Sequence, residues 1–218
     1  MQFKAVIFDL DGTLLNTLED IADSANFVLR QFGFPEHDLK TYQYFLGEGM
    51  EKLIRKALPK DKTDEKLIAK CVSLMRKEYQ RRWADKTYIY PEVPRILDFL
   101  TQHQIRMAIL SNKPDDFTRR MVAKFLSLWK FDLIQGEKAS RPQKPDPAAA
   151  LLIAQKLGIS PLEFLFIGDS EVDMKTAVAA EMFPVGVLWG FRTEGELIAS
   201  GAKALIKNGD DFFTLFSS

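Results

Sequence analysis

The sequence contains a single cysteine, Cys71, and no long hydrophobic stretch. A lone cysteine cannot form a disulfide within the chain, and its helical spacing from Leu67, Leu74 and Met75 predicts a packed core position. No apolar run approaches the roughly 18 residues that a membrane-spanning helix needs, which argues against a membrane partner. The amino-terminal residues reach Asp9 too early for the apolar part of a signal peptide, so we expect a cytoplasmic location.

The chain also has no excess of charge of either sign, since 30 basic residues balance 30 acidic ones. Without a global electrostatic field, binding to nucleic acid or to an anionic membrane surface is not favoured, and an anionic ligand must be held locally. The content of 46% hydrophobic and 28% charged residues is typical of a globular protein. A length of 218 residues allows one main core and a smaller second one.

Short apolar runs alternate with helical patterns along most of the chain. Runs rich in β-branched and aromatic residues predict buried strands at 5–10, 106–110, 131–134, 163–167 and 185–188. Helical spacing of apolar residues predicts helices at 91–103, 114–126, 145–157 and 170–180. This alternation predicts an α/β fold with a doubly wound parallel sheet.

The alternation is interrupted between the first and second predicted strands, where about ninety residues intervene. A crossover between parallel strands normally needs far fewer residues than this. Apolar residues at Leu18–Phe32 and Leu67–Trp83 follow the spacing of helix faces. The sequence therefore predicts a helical domain at residues 16–86, inserted into an α/β domain made of residues 1–15 and 87–218.

The first predicted strand ends in an acidic motif, in which Asp9 and Asp11 are followed by Gly12 and Thr13. Residues two apart in a strand share a face, so the two carboxylates can point into one space. Glycine lets the backbone turn sharply and approach an anion. Taken alone, the motif is equally well explained as a turn with two solvated acids.

Polar residues also follow the second predicted strand, at Ser111, Asn112 and Lys113. A hydroxyl, an amide and a helix amino terminus at this point could hold phosphate oxygens. Simple capping of the next helix by Ser111 or Asn112 explains the same residues.

Two further segments carry charge at comparable positions. Asp169, Ser170 and Asp173 follow the fourth strand, and Lys144 precedes Pro145 near a predicted helix start. Ser170 and Asp173 fit a capping box, and a lone lysine is usually solvated. However, ligands of open α/β sheets bind beyond the carboxyl ends of the strands, where all these segments fall. Together they predict one site.

The motifs resemble those of the haloacid dehalogenase superfamily with its smaller helical cap. They are Asp-x-Asp-Gly-Thr at 9–13, Ser-Asn-Lys at 111–113, Lys-Pro at 144–145 and Gly-Asp-x-x-x-Asp at 168–173, with a helical insert after the first. The resemblance covers nearly the whole chain and implies a Rossmann-like core that hydrolyses phosphomonoesters. One departure is Ala179-Ala180-Glu181, where the family usually has glycine in the third position.

The resemblance also implies roles for the site residues. Asp9 is the expected covalent nucleophile and Asp11 the general acid and base, while Ser111 and Lys144 hold the phosphoryl group. A Mg²⁺ ion is expected on Asp9, Asp169 and the backbone carbonyl of Asp11. The other site residues are assigned to substrate binding (Gly12, Thr13, Asn112 and Lys113) and to orientation of their neighbours (Ser170 and Asp173).

Within the superfamily, residues 45–58 and the Ser-Asn-Lys-Pro form of the second motif are similar to those of bacterial phosphoglycolate phosphatases. This implies a small phosphorylated metabolite as substrate and a monomer or homodimer. The carboxylate of phosphoglycolate needs a cation, for which Lys52, Arg55, Arg82 and Lys113 remain open candidates.

Other functions remain as alternatives. A receiver-like phosphorylation-dependent signalling module also uses aspartate, a hydroxyl, lysine and Mg²⁺ on a doubly wound sheet, but the motif order and the insert argue against it. A phosphosugar mutase is the alternative within the superfamily. A dehalogenase would lack the second acid, Asp11, and a catalytically inactive binding protein would not need the full set of acids.

Overall fold

The computed structural model describes residues 3–62 and 64–216, and its strands form one large and one small sheet. In chain order the strands are β1 (Ala5–Phe8), β2 (Leu15–Asn16), β3 (Tyr88–Ile89), β4 (Arg106–Pro114), β5 (Leu133–Glu137), β6 (Phe164–Gly168), β7 (Phe183–Val187) and β8 (Ala204–Ile206). The large sheet has the order β5-β4-β1-β6-β7-β8, and every neighbouring pair in it is parallel.

Ten α-helices are described. They are α1 (Leu18–Gln31), α2 (Leu39–Phe45), α3 (Met50–Ala57), α4 (Glu65–Arg82), α5 (Val93–Gln102), α6 (Asp115–Phe125), α7 (Ala148–Leu157), α8 (Glu171–Ala179), α9 (Glu194–Ala199) and α10 (Gly209–Thr214). None of the helices in the described part of the chain is both long enough and apolar enough to cross a membrane.

The large sheet is buried on both faces, as its continuous apolar strands require. On one face, Ile7 of β1 packs with Phe166 of β6 and Ile153 of α7. On the other face, Val6 packs in a cluster that includes Leu97 of α5. Alternate residues of one strand thus serve two helical layers, and the prediction of a doubly wound parallel sheet is confirmed.

Helices α1 to α4 form the insert between β2 and β3. Cys71 of α4 is fully buried in the apolar cluster, as its spacing predicts. Strands β2 and β3 pair antiparallel, which brings the two ends of the insert together. Asp20 of α1 strengthens this junction, because its carboxylate accepts hydrogen bonds from the backbone N–H groups of Lys86 and Thr87 at 2.9–3.1 Å.

Several element boundaries differ from those expected. Strand β4 continues through Ser111–Lys113 to Pro114 instead of ending at Leu110, because Pro114 still pairs with Glu137 of β5 beyond an irregularity. Helix α7 begins at Ala148, three residues after the expected start. Strands β2, β3 and β8 and helices α9 and α10 were not predicted, since segments of two to six residues are too short to show a periodicity.

Candidate functional site

The acidic motif after β1 lies against the end of β6. The backbone N–H of Asp9 donates to the carbonyl of Ile167 at 2.9 Å, which extends the sheet by one residue. The chain then turns at Gly12, whose φ is +84°. A Cβ atom at this position would lie 2.3 Å from Oδ2 of Asp169, so only glycine lets the motif pack against that carboxylate.

Lys144 joins two of the carboxylates. Its Nζ donates to Oδ1 of Asp173 at 2.6 Å and lies 2.9 Å from Oδ1 of Asp9, an ion contact whose angles are outside those of a hydrogen bond. The side chain is 1% exposed. Burial alone would lower the pKa of Lys144, but the charges of Asp173 and Asp9 outweigh it and raise that pKa. The lysine therefore stays charged in the site.

Asn112 fixes the backbone that carries Lys144. Its side-chain oxygen accepts the N–H of Lys144 at 2.9 Å, and its amide nitrogen donates to the carbonyl of Lys144 at 2.9 Å and to that of Gly47 at 3.0 Å. The amide is thus fully engaged between a core loop and the insert. This geometry is that of a positioning residue.

The carboxylate of Asp173 takes part in two interactions, a helix capping box and a contact with Lys144. Its Oδ2 accepts hydrogen bonds from the backbone N–H and the hydroxyl of Ser170, at 3.1 and 2.6 Å, which completes a capping box at the start of α8. Its Oδ1 accepts from Lys144. The capping interpretation of the sequence is therefore correct for Ser170 and Asp173, and the same carboxylate also orients the buried lysine.

The remaining motif residues have separate partners. The N–H of Gly12 donates to the carbonyl of Leu15 at 2.8 Å, and the hydroxyl of Thr13 makes a long contact of 3.4 Å with Oδ1 of Asp169. The hydroxyl of Ser111 accepts the N–H of Lys113 at 3.2 Å. All the predicted site residues thus lie at one edge of the sheet, but several of their polar groups bond to one another.

Two of the carboxyl groups are strongly perturbed. Burial raises the pKa of Asp9 from 3.8 to about 7, with Lys144 opposing this shift and Asp173 and Asp11 adding to it. Burial and the charges of Asp173 and Asp9 raise the pKa of Asp169 well above its usual value. Both groups lie where a cation would stabilise their ionised forms.

The donor set fits a divalent cation that prefers oxygen. Oxygens of Asp9, Asp169 and Asp173 lie within 4.8 Å of one another. Lys144 and Ser170 engage both oxygens of Asp173 at 2.6 Å, whereas Oδ1 of Asp169 has only the long 3.4 Å contact with Thr13, so Asp9 and Asp169 are the better candidates for ligands. Oδ1 of Asp9 also lacks a hydrogen-bond donor within the described residues. Mg²⁺ is bound in proteins by such carboxylates.

Asp11 is paired with a second buried lysine. Nζ of Lys113 donates to Oδ1 and Oδ2 of Asp11 at 3.0 and 3.1 Å, and the hydroxyl of Thr17 donates to Oδ1 at 2.7 Å. The Lys113 side chain is 4% exposed, and its Nζ lies 4.7 Å from the centre of the Tyr79 ring in α4. Nothing in the sequence indicated this pair, since 102 positions separate its members.

The loop after β7 supplies contacts that the sequence analysis missed. The N–H of Phe191 donates to Oδ2 of Asp169 at 2.8 Å, and the indole of Trp189 donates to the carbonyl of Thr13 at 3.0 Å. Arg192 donates to the backbone carbonyls of Gln43 and Leu46 in the insert. The rule that sites form beyond strand ends would have indicated this loop, because it directly follows β7.

Comparison with known proteins gives consistent matches. The model of the family described as haloacid dehalogenase-like hydrolase matches residues 6–187. A phosphoglycolate phosphatase of Nitrosospira multiformis is 31% identical over 209 residues, covering 94% of this chain and 92% of that protein. A phosphoglycolate phosphatase of Pseudomonas putida is 32% identical over 192 residues, covering 86% and 70% of the two chains.

Solved structures show the same architecture. The crystal structure of a predicted phosphoglycolate phosphatase from Haemophilus somnus superposes with a TM-score of 0.90, at 25% identity and with 99% of each chain covered. A haloacid dehalogenase-like family protein from Streptococcus pneumoniae superposes with a TM-score of 0.88, at 22% identity. The second likeness concerns the fold alone.

Proposed function

Since the chain belongs to the haloacid dehalogenase-like hydrolase family, we propose that it is a Mg²⁺-dependent phosphatase of small phosphomonoesters, with phosphoglycolate as the substrate to test first. The observation that carries this proposal is the contact of Lys144 Nζ with Asp9 at 2.9 Å and with Asp173 at 2.6 Å. These groups come from three separate motifs. A phosphoryl dianion would find a buried cation beside a carboxylate nucleophile.

Charge balance supports the need for a metal ion. Within the described residues, four carboxylates, those of Asp9, Asp11, Asp169 and Asp173, lie together with two ammonium groups in direct contact with them, those of Lys113 and Lys144. Two unit charges 4 Å apart repel by about 4 kcal/mol at an effective dielectric constant of 20. When bound by Asp9 and Asp169, Mg²⁺ supplies the positive charge that lets the phosphate approach these acids.

In the proposed reaction, the carboxylate of Asp9 attacks phosphorus in line and forms an aspartyl-phosphate. Asp11 gives a proton to the departing ester oxygen. In the second step Asp11 takes a proton from the water that hydrolyses the acyl phosphate, which returns both aspartates to their starting state. Lys144 and Ser111 hold the phosphoryl oxygens during both steps.

We further infer that the insert, α1 to α4, acts as a cap over this site. Its α3 and α4 and the loop before α3 form one wall of a cavity whose other wall holds Asp9 and Asp11. Arg192 and Asn112 hold the insert against the core through backbone carbonyls of residues 43, 46 and 47. A closed cap would exclude bulk water during transfer to Asp9.

A screen of small phosphomonoesters with Mg²⁺ tests this function. We expect phosphate release from phosphoglycolate, and we expect acid quenching during turnover to trap a phosphorylated protein that hydroxylamine cleaves, as an acyl phosphate requires. A trapped phosphoprotein that persists without turnover would favour a receiver-like module. Conversion of one hexose phosphate isomer into another would favour a phosphosugar mutase.

A further inference from the structure

The cavity next to Asp9 and Asp11 is small, and the side of it that the insert forms is mostly apolar. Its volume is about 50 Å³, and the insert lines it with Ile21, Leu46, Met50, Leu53, Met75 and Tyr79. Their side chains shape the space for the leaving group and exclude water from it, but none of them carries a charge. Among the described residues that line the cavity, a positively charged partner for an anionic leaving group is therefore found on the core side.

Lys113 is the cation at that position. It lines the cavity, its Nζ contacts both oxygens of Asp11 at 3.0 and 3.1 Å, and the face of Tyr79 lies 4.7 Å away. Because the lysine and the acid are one hydrogen-bond length apart, a ligand group that reaches Lys113 lies close to the ester oxygen that Asp11 serves.

The other cations considered for this role are paired elsewhere. Lys52 contacts Glu48 at 3.0 Å, and its side chain is 51% exposed. Arg55 contacts Glu51 and Glu65, both on the surface. Arg82 contacts Glu78. None of the three lines the cavity as the described residues define it, so the structure ranks Lys113 above them.

The pairing with Lys113 also restrains Asp11. Lys113 engages both of its oxygens and Thr17 engages one of them again, so neither oxygen is free to give a proton to a leaving group. The Tyr79 hydroxyl, in contrast, is buried and has no hydrogen-bond partner within the described part of the chain. The cavity wall thus has one polar group ready to accept a new partner.

We propose that Lys113 recognises a carboxylate on the leaving group, and that its transfer from Asp11 to this carboxylate releases Asp11 for catalysis. The substrates are then phosphomonoesters that carry an anionic group bonded to the ester carbon, or one that lies equally close to the ester oxygen. Once Lys113 contacts the substrate carboxylate, the Asp11 side chain has lost its two hydrogen bonds from Lys113 and can turn toward the ester oxygen, where it acts as the proposed general acid. This inference rests on the proposed phosphatase function.

The test compares two esters that differ only in this anion. 2-Phosphoglycolate has a carboxylate where ethyl phosphate has a methyl group. With the Mg²⁺-loaded wild-type protein, we expect kcat/KM for phosphoglycolate to exceed that for ethyl phosphate by about 100-fold or more, as a site built for a polar group rejects the analogue that lacks it. In Lys113→Met the ratio should fall to about ten-fold or less. Lys52→Met, the matched control on the insert surface, should keep the wild-type ratio.

The possible failures are distinguishable. If the wild type hydrolyses neither ester nor any other phosphomonoester, the proposed function is wrong. If the wild type hydrolyses both esters with equal kcat/KM, the function stands and the role of Lys113 is refuted, whether or not the variant folds. An unchanged ratio in a Lys113→Met protein with native circular dichroism would also refute it, because a general loss of rate affects both esters alike.

Discussion

The two walls of the cavity differ in chemistry and in the way they are held. The core wall is charged and includes the buried side chains of Asp9 and Lys113. Each contacts an oppositely charged group from a motif distant in sequence, Lys144 in the case of Asp9 and Asp11 in the case of Lys113. The insert wall is apolar, with residues such as Met50 and Leu53 that lie on amphipathic helices. The comparison indicates that the core determines which bond reacts, whereas the insert determines which molecules fit.

The largest effect on activity is expected from a change in the core wall that removes the nucleophile. Asp9→Asn keeps the size of the side chain but removes its charge, so we expect kcat for phosphate release to fall by about 10⁴-fold or more, the scale for loss of a nucleophile. Steady-state phosphate release measures this. Asp38→Asn is the matched control, because Asp38 caps α2 through Thr41 and does not line the cavity, and asparagine also caps helices. Near-normal turnover by Asp9→Asn would refute the assignment.

The second change removes the buried cation. Lys144→Met leaves Asp9 and Asp173 without their shared partner, so we expect kcat to fall by about 10²–10³-fold and the free energy of unfolding to fall by about 3 kcal/mol. Urea denaturation measures the second effect. Lys175→Met, which removes an exposed pair with Glu171, should change stability by less than about 0.5 kcal/mol. Equal stability losses in the two variants would contradict the difference between buried and exposed pairs.

The third change enlarges the cavity on the side of the insert wall. Met50 is half-buried at the start of α3 and lines the cavity, so Met50→Ala should admit a larger leaving group. We expect the ratio of kcat/KM for glycerol phosphate over phosphoglycolate to rise by about ten-fold, since a few methylene groups in a pocket have this effect. The exposed Leu39→Ala in α2 is the control. A fall in kcat with no change in selectivity would show that this wall also takes part in the chemistry.

The smallest expected effect concerns pH. Since burial raises the pKa of Asp9 from 3.8 to about 7, the folded metal-free protein holds a proton between about pH 4 and pH 7 that the unfolded chain has released. Its stability therefore falls as pH rises through this range, and Mg²⁺ should offset the loss. We expect Mg²⁺ to raise Tm by about 4 °C more at pH 8 than at pH 5, measured by calorimetry. An equal rise at both pH values would place the ion away from Asp9.

The two walls also differ in how far the sequence predicts them. The acidic motifs are local and follow strand ends, so the meeting of Asp9, Lys144 and Asp169 at one edge of the sheet could be expected from topology alone. The amphipathic spacing of α1 and α4 likewise predicted a helical insert. The sequence does not predict that the rest of the insert is divided into α2 and α3, because helices of seven and eight residues show little periodicity.

Side-chain pairing is what the sequence could not provide. The contact between Lys113 and Asp11 depends on the continuation of β4 past Leu110 and on the position of Tyr79, neither of which has a local signal. The sequence likewise does not predict the two-residue strands β2 and β3, because alternation cannot be recognised in two residues. Both the contact between Lys113 and Asp11 and the pairing of β2 with β3 depend on tertiary contacts and not on the conformational preferences of the local sequence.

The contact of Arg192 with the insert has a consequence for the evolution of this surface. Its guanidinium binds the backbone carbonyls of Gln43 and Leu46 and not their side chains. Substitutions at these two positions therefore leave the hydrogen-bond acceptors in place as long as the backbone of α2 and of Leu46 does not change its path. The side chain of Leu46, which lines the cavity, can thus change to suit new ligands while Arg192 keeps its contacts with the insert.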